Sequence, residues 1–161
     1  MKLRKLEKKD APLMLEWMHD ASVTNWLQAD FKHMTIENCL GFIERSKDET
    51  QDLHLAIVDD EDNYMGTVSL KHIENHKAEF AIVVRAEASG KGYASFGMKE
   101  IIRIGLEERQ LKNIYWCVSP NNQRAIKFYN KNGYKQVTTD RINTVYYTQT
   151  QIDKFIWYLV E

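Results

Sequence analysis

The chain has 161 residues, enough for one domain with a substantial core and a cleft in it. Hydrophobic residues make up 43% and charged residues 28%, with two prolines and seven glycines, which excludes a disordered or fibrous chain. The formal net charge is −1, with Lys and Arg scattered among acids, so no global field draws the chain to nucleic acid or to an anionic membrane.

Residues 2–6 are read as a short strand. The charges that follow, Glu7 to Asp10, leave no room for an apolar signal core, and no uncharged run is long enough to span a bilayer. A cytoplasmic location is expected. Asp10 is the expected cap of a helix with Pro12 in its first turn and Leu13, Met14, Trp17 and Met18 on its apolar face. Residues 20–33 read as irregular, and their Trp26, Leu27 and Phe31 either pack or wall a substrate pocket. Thr35 is the N-cap of a second helix, in which Ile36, Leu40 and Ile43 recur at helical spacing.

From residue 53 the period changes to that of strands. Residues 53–58 form a strand, residues 59–63 an acidic turn, and residues 64–73 the returning strand. A turn at Glu74-Asn75-His76 leads to a strand over residues 78–84, completing a three-stranded antiparallel meander. A Gly-rich segment follows, then a helix over about residues 93–108 with Ala94, Gly97, Met98, Ile101, Ile104 and Gly105 on one stripe. Residues 113–118 are a strand ended by Ser119-Pro120-Asn121. Asn122, Ala125, Ile126 and Tyr129 mark a short helix that stops at Gly133. The tail offers two strands, residues 144–149 and 154–160. With no repeat and no linker, residues 1–161 are read as a single domain.

Cys39 and Cys117 lie far apart in no metal-type or redox-type pair, and both are expected to be reduced and buried. The five histidines form no HExxH motif. His72 and His76 are four apart, but Asn75 and Lys77 beside them indicate a turn, so no metal is expected.

Ser89-Gly90-Lys91-Gly92-Tyr93-Ala94, lying between a strand and a helix, suits a phosphate group. Glycines admit the anion to the backbone, successive N–H groups form a nest, and the helix N-terminus adds partial positive charge. A Walker A loop is excluded, because Gly92 follows Lys91 and Arg85 stands six residues before it. A dinucleotide fingerprint fails at Ser95, where it needs glycine, and because an antiparallel meander precedes the loop. A plain glycine turn remains open on this segment alone.

Two segments together resemble the GNAT superfamily of N-acetyltransferases, and the resemblance runs over nearly the whole chain. Gly92 and Ala94 match the last fixed positions of the family's Gln/Arg-x-x-Gly-x-Gly/Ala loop, with Ser89 departing from its Gln or Arg. Asn122-Gln123-Arg124-Ala125-Ile126-Lys127-Phe128-Tyr129, with Asn132-Gly133-Tyr134, looks like the family's Asn-x-x-Ala-x-x-x-Tyr helix and the Gly-Phe/Tyr after it. Gly66 to Leu70 and Ala78 to Ile82 look most like the spermidine and ribosomal-protein-alanine acetyltransferases.

The resemblance implies a mixed α/β fold, a mostly antiparallel twisted sheet of about seven strands flanked by about four helices. It implies acetyl-CoA as donor and direct transfer to a primary amine in a ternary complex. The acceptor stays open among polyamine, amino sugar, antibiotic and peptide N-terminus, with Asp20, Asp30 and Glu37 either receiving a polyamine or merely solvated. By the same resemblance, the backbone of Ile82, Val83 and Val84 holds the pantetheine arm and offers an N–H to the thioester oxygen. The amides from Ser89 to Ala94 hold the pyrophosphate. Asn122 and Ala125 lie along the arm, and Arg124 or Lys131 reaches a phosphate. Tyr129 takes the place of the general acid for the departing thiolate, a phenol of ordinary pKa roughly 10; the alternative is a Tyr packed on a helix face. Glu79 is the candidate base, directly or through a water, against the alternative of a solvent-facing charge. An acetyl-Cys117 route is disfavoured, since no histidine is near it in sequence. A non-catalytic acyl-CoA sensor on the same fold is the rival reading, and the presence of Tyr129 and Asn122 weighs against it. The terminal strand, apolar on both faces, needs cover either from the chain's own sheet or from a second copy in a homodimer.

Overall fold

The computed structural model describes residues 1–161. Strand β1 (Lys2–Lys5) pairs antiparallel with β2 (Leu53–Val58), β2 with β3 (Tyr64–Glu74), and β3 with β4 (Lys77–Val84). This is the meander expected from the alternating sequence, with β1 added at its edge. Strand β5 (Asn113–Val118) joins β4 in parallel, β7 (Ile156–Val160) lies antiparallel to β5, and β6 (Lys135–Val137) closes the far edge against β7. The sheet has seven strands in the order β1-β2-β3-β4-β5-β7-β6.

Side chains alternate across a strand, so the sheet has two differently covered faces. On one face Leu55, Ile57, Val68, Leu70, Phe80 and Trp116 meet helices α4 (Tyr93–Arg103) and α5 (Gln123–Lys131). On the other, Ala56 and Val58 meet α1 (Ala11–Met18) and α3 (Ile36–Arg45). Gly97 brings α4 close to the sheet: a Cβ there would sit 2.5 Å from Ile57 Cδ1.

Several expectations are corrected. Six α-helices flank the sheet rather than about four, because the stretch 20–33 holds the short α2 (Ala21–Thr24) and the tail holds α6 (Gln149–Lys154). Residues 144–149 are therefore not a strand. Thr148 Oγ1 accepts from Gln151 N and Gln151 Oε1 accepts from Thr148 N, a capping box legible as Thr-x-x-Gln. Strand β6 was not anticipated. The helix of residues 93–108 becomes a π turn over Ile104–Glu108, where Arg109 N bonds to Ile104 O. Asp10 does not cap α1 with its side chain. Its carboxylate instead accepts from Glu7 N and from Arg4, whose guanidinium is raised above its ordinary pKa by that bond. In α3, Cys39 and Ile43 are buried while Leu40 is exposed. Strand β7 lies between β5 and β6, so both of its edges are paired, and its Trp157, Tyr158 and Leu159 are buried within the chain; the sheet edge falls to a three-residue strand with exposed Lys135 and Gln136. No helix is long and apolar enough to cross a membrane.

Candidate active site

Strands β4 and β5 pair only from Lys77/Asn113 to Glu79/Tyr115. Beyond that point each keeps its other partner: β4 stays on β3 as far as Val84/Gly66, and β5 stays on β7 as far as Val118/Ile156. Twist pulls the two pairs apart, and a V opens between them. The edge of β4 that faces β5 has no ladder partner past Glu79, which includes Ile82, Val83 and Val84. A cleft of about 1200 Å³ fills the V, running from the glycine loop to the α1–α3 side of the sheet.

At one end lies the loop. After a 3₁₀ turn over Ala86–Ala88, Gly90 and Gly92 take φ of 75° and 90°, a left-handed backbone that side chains rarely adopt. Gly92 is the N-cap of α4 and brings no side chain to satisfy the first-turn N–H groups. A Cβ at Gly90 would meet nothing within 4 Å, so the cradle is open. Ser89, Gly90, Gly92 and Ala94 line the cleft; Lys91 and Tyr93 do not, and Lys91 is exposed. Arg85 anchors the loop to α1 through Glu16 at 2.9 and 3.0 Å, and also meets Glu87.

Helix α5 crosses the same end. Asn122 caps it, its Oδ1 accepting from Ala125 N at 3.2 Å, and Arg124 donates to the Ser89 hydroxyl. The two motifs read separately in the sequence are thus in contact. Asn122, Arg124 and Ala125 line the cleft, but Lys131 is exposed at the far end of α5 and does not. Tyr129 lines it too. Its ring packs against Trp116 and Tyr158, with centroids 5.3 and 5.0 Å away, and burial pushes its phenol above the ordinary value. Packing and cleft contact therefore coexist at Tyr129.

Glu79 stands at the apex of the V. It is 4% exposed, so the solvent-facing alternative is overturned. Phe80 turns to α4, which puts Glu79 on the opposite face. There Tyr147 donates its hydroxyl to Oε1, and Lys71 Nζ lies 3.8 Å away. Three buried polar atoms have no partner, Glu79 Oε2, Tyr115 Oη and Trp116 Nε1, and all belong to β4 and β5 near the splay. An unpaired buried polar group costs about 1–3 kcal/mol. Glu79 and Trp116 line the cleft while Tyr115 does not, so Glu79 Oε2 is the free acceptor that the cleft offers a ligand on this face. Cys117 is half-buried in the cleft, beside Gln28 Nε2 at 3.9 Å, and burial pushes its thiol up to about 11. A thiol held protonated is a poor nucleophile, which agrees with disfavouring an acetyl-cysteine. Trp26, Leu27 and Phe31 do wall the cleft.

Sequence reasoning missed Tyr147, placed on an expected strand but carried by the turn before α6. It also missed Gln28, Lys71, His54 and Ser69. For the last three a signal existed: period-two alternation in residues 53–58 and 64–73 puts His54, Ser69 and Lys71 on the face of Glu79.

Residues 1–135 match the family model described as an acetyltransferase (GNAT) domain. The spermidine N(1)-acetyltransferase of Escherichia coli (strain K12) is 29% identical over 145 residues, covering 83% of this chain and 72% of that protein. An uncharacterised N-acetyltransferase, p20, of Bacillus licheniformis is 27% identical over 140 residues, covering 83% and 78%. Among solved structures, the spermidine N-acetyltransferase of Vibrio cholerae in complex with CoA and spermine superposes with a TM-score of 0.80 at 19% identity, over 99% of this chain and 94% of that one. The PaiA N-acetyltransferase of Thermoplasma acidophilum in complex with coenzyme A gives 0.73 at 19% identity, over 99% and 98%.

Proposed function

Because the chain belongs to the GNAT acetyltransferase family and is an N-acetyltransferase, we propose that its donor is acetyl-CoA and its acceptor the primary amine of a small molecule. The observation that carries this reading is the V between β4 and β5. It joins an uncapped, glycine-led helix N-terminus at one end to a buried carboxylate with a free oxygen at the other. The residues fit the donor: the open nest at Gly90 and Gly92 suits a pyrophosphate, and the unpaired edge of β4 suits the amides of a pantetheine arm. The relatives named for spermidine, and the Vibrio structure with spermine, support a small-molecule amine.

When bound, acetyl-CoA supplies an activated acyl group on a thiol that leaves with its electron pair. The amides from Gly90 to Ala94 bind phosphate oxygens, with Arg124 reaching across from α5. Backbone N–H of Ile82–Val84 polarises the carbonyl by an oxyanion-type bond. Tyr129 stays protonated because of its burial and gives that proton to the departing sulfur. Glu79 Oε2 receives the acceptor's ammonium at the apex, opposite the thioester.

Free-thiol release from acetyl-CoA, measured with spermidine, glucosamine, kanamycin and a tripeptide, tests the reading. Turnover with at least one amine is expected. Acetyl-CoA that neither binds by calorimetry nor turns over with any of them refutes it.

A further inference from the structure

On the α1–α3 side of the cleft, three polar side chains are linked one to the next, two from β2 and its start and one from β3. His54 of β2 and Ser69 of β3 are ladder partners, and His54 Nδ1 lies 2.6 Å from Ser69 Oγ. Asp52, the residue before β2, places Oδ2 3.7 Å from Nε2 of the same ring. Its Oδ1 is fixed by His72 N at 2.8 Å. Ser69 is opposite Ala81 on β4, one residue from the segment proposed to hold the thioester. Both His54 and Ser69 line the cleft, Ser69 is 6% exposed, and Phe42 of α3 covers the imidazole at a centroid distance of 4.6 Å. The series thus begins in the cleft and ends at a carboxylate that is 40% exposed.

An amine that arrives as an ammonium has no lone pair until a proton leaves it, and the cleft buries the groups around it. Glu79 is suited to hold that charge, but its Oε1 is already occupied by Tyr147 and faces Lys71. We propose that Ser69, His54 and Asp52 form the route by which the acceptor's ammonium loses its proton, so that His54 is the proton acceptor of the acetyl transfer proposed above.

Asp52 favours the Nε2–H tautomer, which leaves Nδ1 to accept from the Ser69 hydroxyl. The remaining Ser69 lone pairs then accept from the ammonium. As the amine's proton passes to Ser69 Oγ, the Ser69 proton passes to Nδ1. One proton leaves the amine, one arrives on the ring, and the nitrogen lone pair is free to attack the thioester. The imidazolium releases its Nε2 proton past Asp52 to water.

The charged groups around the ring are Asp52 beside it, Lys71 on β3, Glu79 on β4 beyond Lys71, and Arg45 of α3, which lines the same cleft. Burial lowers the imidazole below its ordinary value, Asp52 raises it, and Lys71 lowers it, for a net shift downward. The ring is therefore neutral at pH 7 and able to take a proton. Activity should fall only as the pH drops through that lowered value, below about 6.5.

The test uses the thiol-release assay with the best acceptor of the four amines, on Ser69→Ala, His54→Gln and the double variant. Ser69→Ala leaves the ring and its packing in place. We expect each single variant to lose about 10²-fold in kcat with the KM for acetyl-CoA unchanged. His54→Gln should also lose the acidic limb of the kcat/KM profile, and the double variant should be no slower than the singles, since one route is cut twice. A folded Ser69→Ala or His54→Gln enzyme with the wild-type rate and pH profile overturns the relay while leaving acetyl transfer intact. Should His54→Gln fail to fold, Ser69→Ala decides alone. A wild-type protein that neither binds acetyl-CoA by calorimetry nor turns over with any of the amines refutes the acetylation reading, and the relay with it.

Discussion

Gly92→Asp probes the phosphate cradle most directly. Gly92 holds φ at 90°, where an added β-carbon costs about 1–2 kcal/mol. Sterically the site is permissive, since a Cβ would meet only Met1 Cε, at 3.6 Å. Gly92→Ala therefore isolates the backbone strain, and the aspartate adds a negative charge where a pyrophosphate is to lie. At about 4 Å one such pair of like charges costs about 1 kcal/mol in bulk water and about 4 kcal/mol near a protein surface. The strain is carried by the free and the bound protein alike and lowers stability, while the charge lowers affinity by about 1–4 kcal/mol, or roughly 5-fold to 700-fold. Calorimetric titration of acetyl-CoA into the folded variants, at low and at high salt, reads the charge term as the gap between Gly92→Asp and Gly92→Ala. The electrostatic part should shrink once the screening length falls below about 10 Å, so the gap between Gly92→Asp and Gly92→Ala should narrow with salt. A folded Gly92→Asp protein that binds as tightly as wild type, or no worse than Gly92→Ala at low salt, refutes the phosphate-cradle argument.

Tyr129→Phe should lower kcat by about 10²–10⁴-fold with little change in the KM for acetyl-CoA, because the proton is needed only as the C–S bond breaks; a wild-type kcat would leave Tyr129 as packing alone. Since the acid form is required and burial raises the phenol above its ordinary value, the wild-type kcat should show no Tyr129-dependent fall below about pH 10, and a descending limb near neutrality that Tyr129→Phe removes would contradict this. Trp26→Ala should raise the KM for the amine and spare acetyl-CoA affinity, as Trp26 walls the cleft from the loop before α3; the opposite pattern in initial-rate kinetics would place the amine elsewhere. Thermal melts should rank Gly66→Ala as more destabilising than Gly97→Ala. The first drives a Cβ into the Val83 carbonyl oxygen, whereas the second meets the movable end of Ile57. Overpacking costs about 1–3 kcal/mol, each kcal/mol lowering Tm by about 2–4 °C, and equal melting points would count against the rigid-backbone explanation.

The sequence by itself determined what depends on neighbours along the chain. Alternation in residues 53–84 laid out the β2-β3-β4 meander, Thr35 marked the start of α3, and the Ser89–Ala94 loop and the Asn122–Tyr129 helix announced the two halves of the site. These signals are local because hydrogen-bond reach and backbone sterics set them within a few residues. Even the missed α6 obeyed a local rule, its Thr148-x-x-Gln151 box being outweighed by the apparent strand pattern of residues 144–149. Tertiary structure alone decided which distant residues share the cleft. Glu79 meets Tyr147 across 68 positions, Cys117 meets Gln28 across 89, and Arg124 meets Ser89 across 35. Strand β7 threads between β5 and β6, so the cover that its two apolar faces needed comes from the chain's own sheet and helices. The splay after Glu79/Tyr115 has the same origin. It arises because β4 and β5 each hold to a different neighbour in a twisted sheet, a competition between ladders that no stretch of the chain encodes alone.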